Sequence, residues 1–249
     1  MKNQLQIYGL RAVIEAIQAN KPLEKVFIQK GLQGELAKEL LRLLKKEGIH
    51  NSSVPIEKLN RLTNQNHQGV VATTSPIAFP TFEETVDHII AQKTTPIFLL
   101  LDQLSDVRNF GAIIRTASCT GVDAIIVQKK GGAPVNADTI KTSAGAVFTI
   151  PICKVDHIKD AVFYLQGSGV KVIAATEKAD KNLYDTNLNT PLAIIMGSEG
   201  RGINPSVLKI TDENLKLPMT GEIGSLNVSV ACGVFLYEVV RQQSFNSEL

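Results

Sequence analysis

The sequence predicts an α/β protein of two units, a small mixed front unit over residues 1–75 and a larger back unit over 96–249, joined by a linker at 76–95. Three observations predict it. Short strand-like runs alternate with stretches of helical periodicity along the whole chain, as α/β units require. Runs such as Pro96–Asp102 are apolar without a break, the pattern of parallel strands covered on both faces. Between the units, Pro76 and Pro80 in SPIAFPTFEET deny backbone hydrogen bonds to a helix or a strand. With 249 residues, 44% hydrophobic and 20% charged, the chain can bury such cores.

The elements follow in order. Leu10, Val13, Ile14 and Ile17 recur at helical spacing, and KVFIQ (25–29) reads as a short buried strand. Leu36, Leu40, Leu43 and Leu44 mark one face of a helix ending at Gly48; then 49–54 is extended, 56–62 helical and 69–74 a last strand, making a three-layer front unit. In the back unit, strands are expected at 96–102, 124–127, 149–155, 170–175, 192–196 and 215–217. An open parallel sheet binds its ligand beyond the carboxyl ends of its strands, so the loops there are where chemistry should sit.

Charge separates the two parts. Lys+Arg total 26 against 24 Asp+Glu, and this formal +2 excludes binding of nucleic acid by bulk charge alone. The front 75 residues nevertheless carry a net +5 and the remainder −3, so a polyanion is expected at the front. Cys119, Cys153 and Cys232 lie far apart without a CxxC pair, which indicates neither a zinc ribbon nor a disulfide framework. His50, His67, His88 and His157 lack ligand spacing, so no metal is expected. The start MKNQLQIYGL has no signal-peptide core and no apolar run approaches the ~18 residues of a membrane span, so a cytoplasmic protein without membrane contact is expected.

Three loops carry the functional argument. The first, LSDVRNFGAIIRTASCTG, leaves the strand ending at Asp102. Its plain structural reading has Asn109 capping a helix, Gly111 permitting close packing and Ile113, Ile114 and Ala117 facing the sheet. Arg115 does not fit that reading alone. Its helical neighbours Gly111, Ala112, Ser118 and Cys119 include no acid, so its guanidinium must find an anion elsewhere, and phosphate or carboxylate suits its planar fork. The second loop, IIMGSEGRGINP, sets Gly197, Gly200 and Gly202 around Ser198, Glu199 and Arg201. This is neither G-x-G-x-x-G nor a Walker motif, yet its glycines let a ligand approach the backbone. In the third, LPMTGEIGSLNVSVACGVFLYEVV, Ser225 and Asn227 read as cap residues before a helix over Val228, Ala231, Phe235 and Val239. Beside them Leu217, Met219 and Leu226 form an apolar lip able to sandwich a flat heterocycle.

Together these segments, N-F-G-A-I-I-R-T-A, M-G-S-E-G-R-G-I and L-P-M…S-L-N-V-S-V-A, resemble the three motifs of the SpoU branch of the SPOUT class, the TrmH-type RNA 2′-O-ribose methyltransferases, over residues 96–245. The front unit is similar to the L30e-like substrate-binding domain of the same proteins, including H-Q-G-V-V-A at 67–72. One departure is Val107, where many members have proline. The resemblance implies a deep trefoil knot in the back unit, S-adenosylmethionine as methyl donor, no metal, and a homodimer whose active sites are completed by the partner. It implies a reaction centre lined by Asn109, Arg115, Glu199, Ser225 and Asn227, and a cofactor cradle of Thr176, Gly197, Gly200, Leu217, Met219 and Leu226. RNA contacts are expected from Arg11, His67, Gln68, Arg108 and Arg201.

Within the family the full-length pattern is most similar to members that methylate a guanosine of bacterial 23S ribosomal RNA. The L30e-like front unit favours ribosomal RNA over tRNA, the alternative substrate, whose enzymes often carry basic terminal helices instead. A non-catalytic L30e-like RNA-binding protein is the rival from another class, and a nicotinamide enzyme lacks its fingerprint. A guanidinium is too basic to act readily as a general base, so Arg115 is read as gripping a phosphate and stabilising a developing alkoxide. Glu199 is left with two roles, bonding a ribose hydroxyl or fixing Arg115.

Overall fold

The computed structural model of the chain describes residues 6–19 and 21–245. They divide into two compact units, one reaching to Ala78 and including Pro134–Ala137, the other Phe79–Ala133 and 138 onward.

The first unit is a four-stranded sheet, β1 (Gln6–Tyr8), β2 (Leu23–Gln29), β3 (Asn51–Val54) and β4 (Val70–Thr74), in the order β1-β4-β2-β3. β2 and β3 run parallel, and β4 is antiparallel to β1 and β2. Alternation of side chains along a strand sends residues to both faces. Val26, Ile28, Val70 and Ala72 share one core with Val13, Ile14 and Ile17 of α1 (Leu10–Gln18) and Leu40 and Leu44 of α2 (Glu35–Lys46). Val54 and Val71 form the other with Leu59 of α3 (Ile56–Leu62). In α2, Glu35 opens the first turn and Lys45 and Lys46 close the last, each sign where the helix dipole favours it. The expected elements form here, and β1 is a strand that periodicity alone did not predict, being only three residues long.

The second unit carries a seven-stranded sheet: β5 (Ile97–Leu101), β6 (Ala124–Gln128), β7 (Ile152–Val155), β8 (Lys171–Ala175), β9 (Lys181–Asn182), β10 (Leu192–Met196) and β11 (Glu213–Lys216). Their order is β7-β6-β5-β10-β8-β11-β9 and every neighbouring pair is parallel, as expected from the uninterrupted apolar runs. All residues of β5 and β10 are buried. Phe98, Leu100, Ala193 and Ile195 pack with α4 (Phe82–Gln92) and α7 (Ile158–Gly167). On the same chain α5 (Val107–Cys119) lies against α9 (Val228–Phe245). The remaining helices are α6 (Ala137–Thr142) and α8 (Pro205–Leu208).

Three expectations change. The stretch expected as a linker contains α4, whose Phe82 and Val86 are buried in the second unit's core and whose Asp87 accepts a 2.7 Å bond from the Tyr164 hydroxyl. Pro76 and Pro80 stop only the residues before it, and burial of two large side chains recruits the rest. The strand expected at 215–217 is shifted to 213–216, which frees Leu217 from the ladder. The one expected from Thr149 begins only at Ile152, because 146–148 close a 3-10 turn. β9 is a two-residue edge strand too short to register as a pattern.

Because the seven strands are parallel, the loops after β5, β8, β10 and β11 all emerge at one edge of the sheet. That edge carries the glycine hairpin after β10 and the starts of α5 and α9.

Candidate active site

The loop after β10 is built around a contact only glycine permits. A Cβ on Gly197 would stand 2.2 Å from the Gly202 carbonyl carbon and 2.3 Å from the Ile203 nitrogen, far inside van der Waals contact. With that space closed, Ser198 and Gly202 exchange backbone hydrogen bonds of 3.2 and 2.9 Å, and the hairpin tip exposes Glu199, Gly200 and Arg201. Gly200 and Gly202 sit at φ 81° and 69°, where other residues are strained.

A cavity opens beside this hairpin, lined by Thr176, Glu177 and Lys178 after β8, 196–202, Leu217, Met219, Ser225 and Leu226, and by Val228, Ala231 and Phe235 of α9. All six residues expected to cradle a cofactor therefore share one cavity, and Glu199, Ser225 and Arg201 line it with them. The apolar lip exists in three dimensions: Met219 and Leu226 line the cavity and remain 37% and 44% exposed.

Two helix starts aim side chains at Glu199. Asp106 caps α5, its Oδ1 accepting the Asn109 N–H at 2.8 Å, so Asn109 is not the cap expected but a first-turn residue. Its side chain is thereby free, and its Nδ2 donates to Glu199 Oε1 at 2.7 Å. Asn227 does cap α9, as expected, with Oδ1 accepting from the Ser229 N–H at 2.9 Å. With that oxygen committed, its Nδ2 turns to Glu199 Oε1 at 2.8 Å and Asn109 Oδ1 at 3.1 Å. One residue from each of the three loops, separated by up to 118 positions, meets in one hydrogen-bonded cluster.

Arg115 is not brought there. It is exposed on α5 and, among the described residues, makes no hydrogen bond or ion pair. Arg108 is exposed seven residues earlier, about two turns or ~10 Å along the same helical face. In the first unit, Arg11 is exposed in the first turn of α1 and Gln68 Oε1 accepts the Leu10 N–H at 3.3 Å. His67 is 9% exposed. Its Nδ1 accepts the Gly69 N–H at 3.0 Å, so the neutral ring carries its proton on Nε2, which donates to Asn60 Oδ1 at 2.8 Å. The ring thus ties the turn before β4, through Gly69, to Asn60 of α3.

Sequence reasoning passed over Asp102, Asp106, Glu177 and Lys178. The spacing Asp106-x-x-Asn109 is itself a cap signal. Asp102, a carboxylate ending an apolar run, is only 2% exposed, and its Oδ2 accepts the Asn204 N–H at 2.7 Å. Burial pushes this carboxyl above its ordinary value, and the Asn204 bond offsets part of that rise.

Comparison with known proteins agrees with this geometry. Residues 96–237 match the model of the SpoU rRNA Methylase family, and residues 6–80 match RNA 2′-O ribose methyltransferase substrate binding. The chain is 36% identical to the 23S rRNA (guanosine-2′-O-)-methyltransferase RlmB of Vibrio cholerae over 99% of its own length and 100% of the relative's. To the enzyme of that name from Vibrio parahaemolyticus it is 35% identical, over 98% of each chain. The crystal structure of the SpoU methyltransferase AviRb from Streptomyces viridochromogenes, in complex with the cofactor AdoMet, has the same fold at 24% identity, with a TM-score of 0.60 over 96% of this chain and 90% of that one.

Proposed function

From the premise that the chain belongs to the SpoU rRNA methylase family, we propose that it methylates the ribose 2′-hydroxyl of a guanosine in 23S ribosomal RNA, using S-adenosylmethionine. The observation that carries the reading is the Asn109–Glu199–Asn227 cluster at the rim of the cavity. The lining fits the donor. Leu217, Met219 and Leu226, with Val228, Ala231 and Phe235, offer an apolar slot to a purine, and the backbone at Gly200 is approachable without an intervening side chain.

When bound, S-adenosylmethionine supplies a methyl group already activated on a sulfonium. The chain's own work is then to bring the acceptor oxygen in line with it, and positioning of this kind is worth ~7–11 kcal/mol. Glu199, held from two sides, presents a carboxylate at a set place beside the cavity, for a ribose hydroxyl or for an arginine. Ser225, which lines the same cavity, orients the ribose. Arg108 and Arg115 hold phosphates flanking the target nucleotide, and Arg115 stabilises negative charge on the 2′-oxygen as its proton leaves. In the first unit, Arg11 and Gln68 at the start of α1 supply further RNA contacts.

Arg115 lies outside the cavity of its own protomer, which supports a homodimer in which each subunit lends this residue to the other's site. The face of α9 exposing Val230 and Tyr237, with Tyr184 beside it, is apolar and suits a second copy. The trefoil knot, formed by passage of the C-terminal segment through a loop, belongs to the same proposal. So does a cytoplasmic location; no helix among the described residues is long and apolar enough to cross a membrane.

Ribose-methylation mapping in cells lacking the protein tests the substrate. Loss of one 2′-O-methylguanosine from 23S RNA is expected, and an intact ribosomal RNA map with a missing tRNA mark would overturn it. Mixing Arg115→Ala with Glu199→Ala protein tests the shared site: a dimer restores activity in the mixture, whereas two independent monomers stay inactive. Calorimetry showing no uptake of S-adenosylmethionine or its demethylated product would end the proposal.

A further inference from the structure

We infer that Asp102 is a positioning residue, whose buried carboxylate anchors the far end of the glycine hairpin and so holds the cofactor wall and Glu199 in place. The inference deepens the methyltransferase reading and rests on it.

The hairpin 197–204 has two ends. Its near end is set by the squeeze of Gly197 against Gly202 and Ile203. At its far end, Ile203 is buried in the core and the next N–H, that of Asn204, donates to Asp102 Oδ2 at 2.7 Å across 102 positions of chain. The bond therefore ties the end of β5 to the hairpin that follows β10. From β5 the chain runs to Asp106 and Asn109, so two of the three loops that meet at Glu199 hang from this junction.

The junction is heavily constrained on the β5 side. The Asp102 N–H donates to the Met196 carbonyl at 2.9 Å. Gln103 is held at φ 55°, a conformation disfavoured for a residue with a side chain, by its N–H bond to Gln128 Oε1 at 3.1 Å. Leu104 accepts the Ala133 N–H at 2.7 Å. Strain of this kind persists only where surrounding contacts over-determine it. A carboxylate buried to 2% exposure is costly to keep, and stability alone favours a neutral residue there. What the carboxylate offers is a short, charge-assisted acceptor for one backbone N–H at the foot of the site.

Removing the acceptor and removing the donor should have the same effect. Asp102→Ala deletes the first. Asn204→Pro deletes the second: the φ of −55° at Asn204 suits proline, and the ring carbon that replaces the amide hydrogen pushes the Asp102 carboxylate away. Asn204→Ala is its control, losing the same side-chain cap of α8 while keeping the N–H. Asp102→Asn keeps an acceptor oxygen.

Titration calorimetry with S-adenosylhomocysteine should show Asp102→Ala and Asn204→Pro binding at least about tenfold more weakly than wild type, with Asp102→Asn and Asn204→Ala within about threefold; tenfold corresponds to ~1.4 kcal/mol. Hydrogen exchange of the Gly202 amide, which bonds Ser198, provides a readout without ligand: protection should fall in the first two variants and persist in the other two. If Asn204→Pro binds as tightly and protects Gly202 as well as Asn204→Ala does, the inference is wrong. Should wild type bind no S-adenosylhomocysteine, the methyltransferase reading fails, and the exchange comparison still decides whether Asp102 holds the hairpin.

Discussion

Gly197→Ala is a sharp perturbation of the cavity wall. The added Cβ would lie 2.2 Å from the Gly202 carbonyl carbon, 2.3 Å from the Ile203 nitrogen and 2.6 Å from the Gly202 oxygen. All three are backbone atoms, so no side chain can rotate away. Restoring ordinary contact requires the two arms of the hairpin to part by more than an ångström, which breaks both Ser198–Gly202 hydrogen bonds and pulls on buried Ile203. Overpacking costs ~1–3 kcal/mol and each lost bond ~0.5–1.5 kcal/mol, so a destabilisation of about 3 kcal/mol is expected. For a unit of this size that lowers the melting temperature by roughly 6–12 °C. Scanning calorimetry of the intact protein, following the catalytic unit's transition, measures this, and titration with S-adenosylhomocysteine should show binding largely lost. A transition within about 2 °C of wild type, less than ~1 kcal/mol, together with unchanged binding would refute the claim that the cavity wall depends on this close approach.

Two further outcomes follow from the rest of the second unit. Cys119 is exposed, whereas Cys153 and Cys232 are buried and burial pushes the Cys232 thiol up to about 12, so a thiol reagent should modify one cysteine in the native protein and three only after denaturation. Glu213 accepts from Lys171 and Lys181, each at 2.9 Å, and the Lys171 bond first, then Lys181, holds its carboxyl below the ordinary 4.5. A depressed carboxyl stabilises the fold above its unfolded value and loses that contribution as pH falls through the folded one. Glu213→Gln should therefore be less stable than wild type near neutrality, with the difference vanishing in acid; a constant difference down to strongly acidic pH would show the ion pairs to be irrelevant.

Much of the architecture could be read from local pattern because burial imposes periodicity. Val26, Phe27 and Ile28 alternate between two cores, and Ile97–Leu101 is apolar throughout because both faces of its sheet are covered. Signals that are short or nonlocal escaped. β1 and β9 are too brief to carry a period, and α4 follows prolines that suggested a linker until Phe82 and Val86 found a core. At the site, residue identities in the three loops pointed to side chains that line one cavity, since glycine beside a strand end and an apolar lip have local signatures. Asn109 was misassigned as a cap because Asp106, three positions earlier, takes that role.

The one-dimensional chain was enough to name the layers, the parallel sheet and the side chains worth watching, all of which follow from hydrophobic spacing and residue chemistry within a few neighbours. Only the folded chain decided that Asn109 and Asn227 converge on Glu199, that Arg115 is exposed and does not line the cavity, that His67 ties its turn to α3, and that Asp102 grips Asn204. The reason is distance along the sequence: these partners, His67 and its turn apart, are separated by 28 to 118 residues or depend on which face of a helix packs inward. A strand order such as β5-β10-β8 is set by the packing of the whole sheet, and no local preference encodes it.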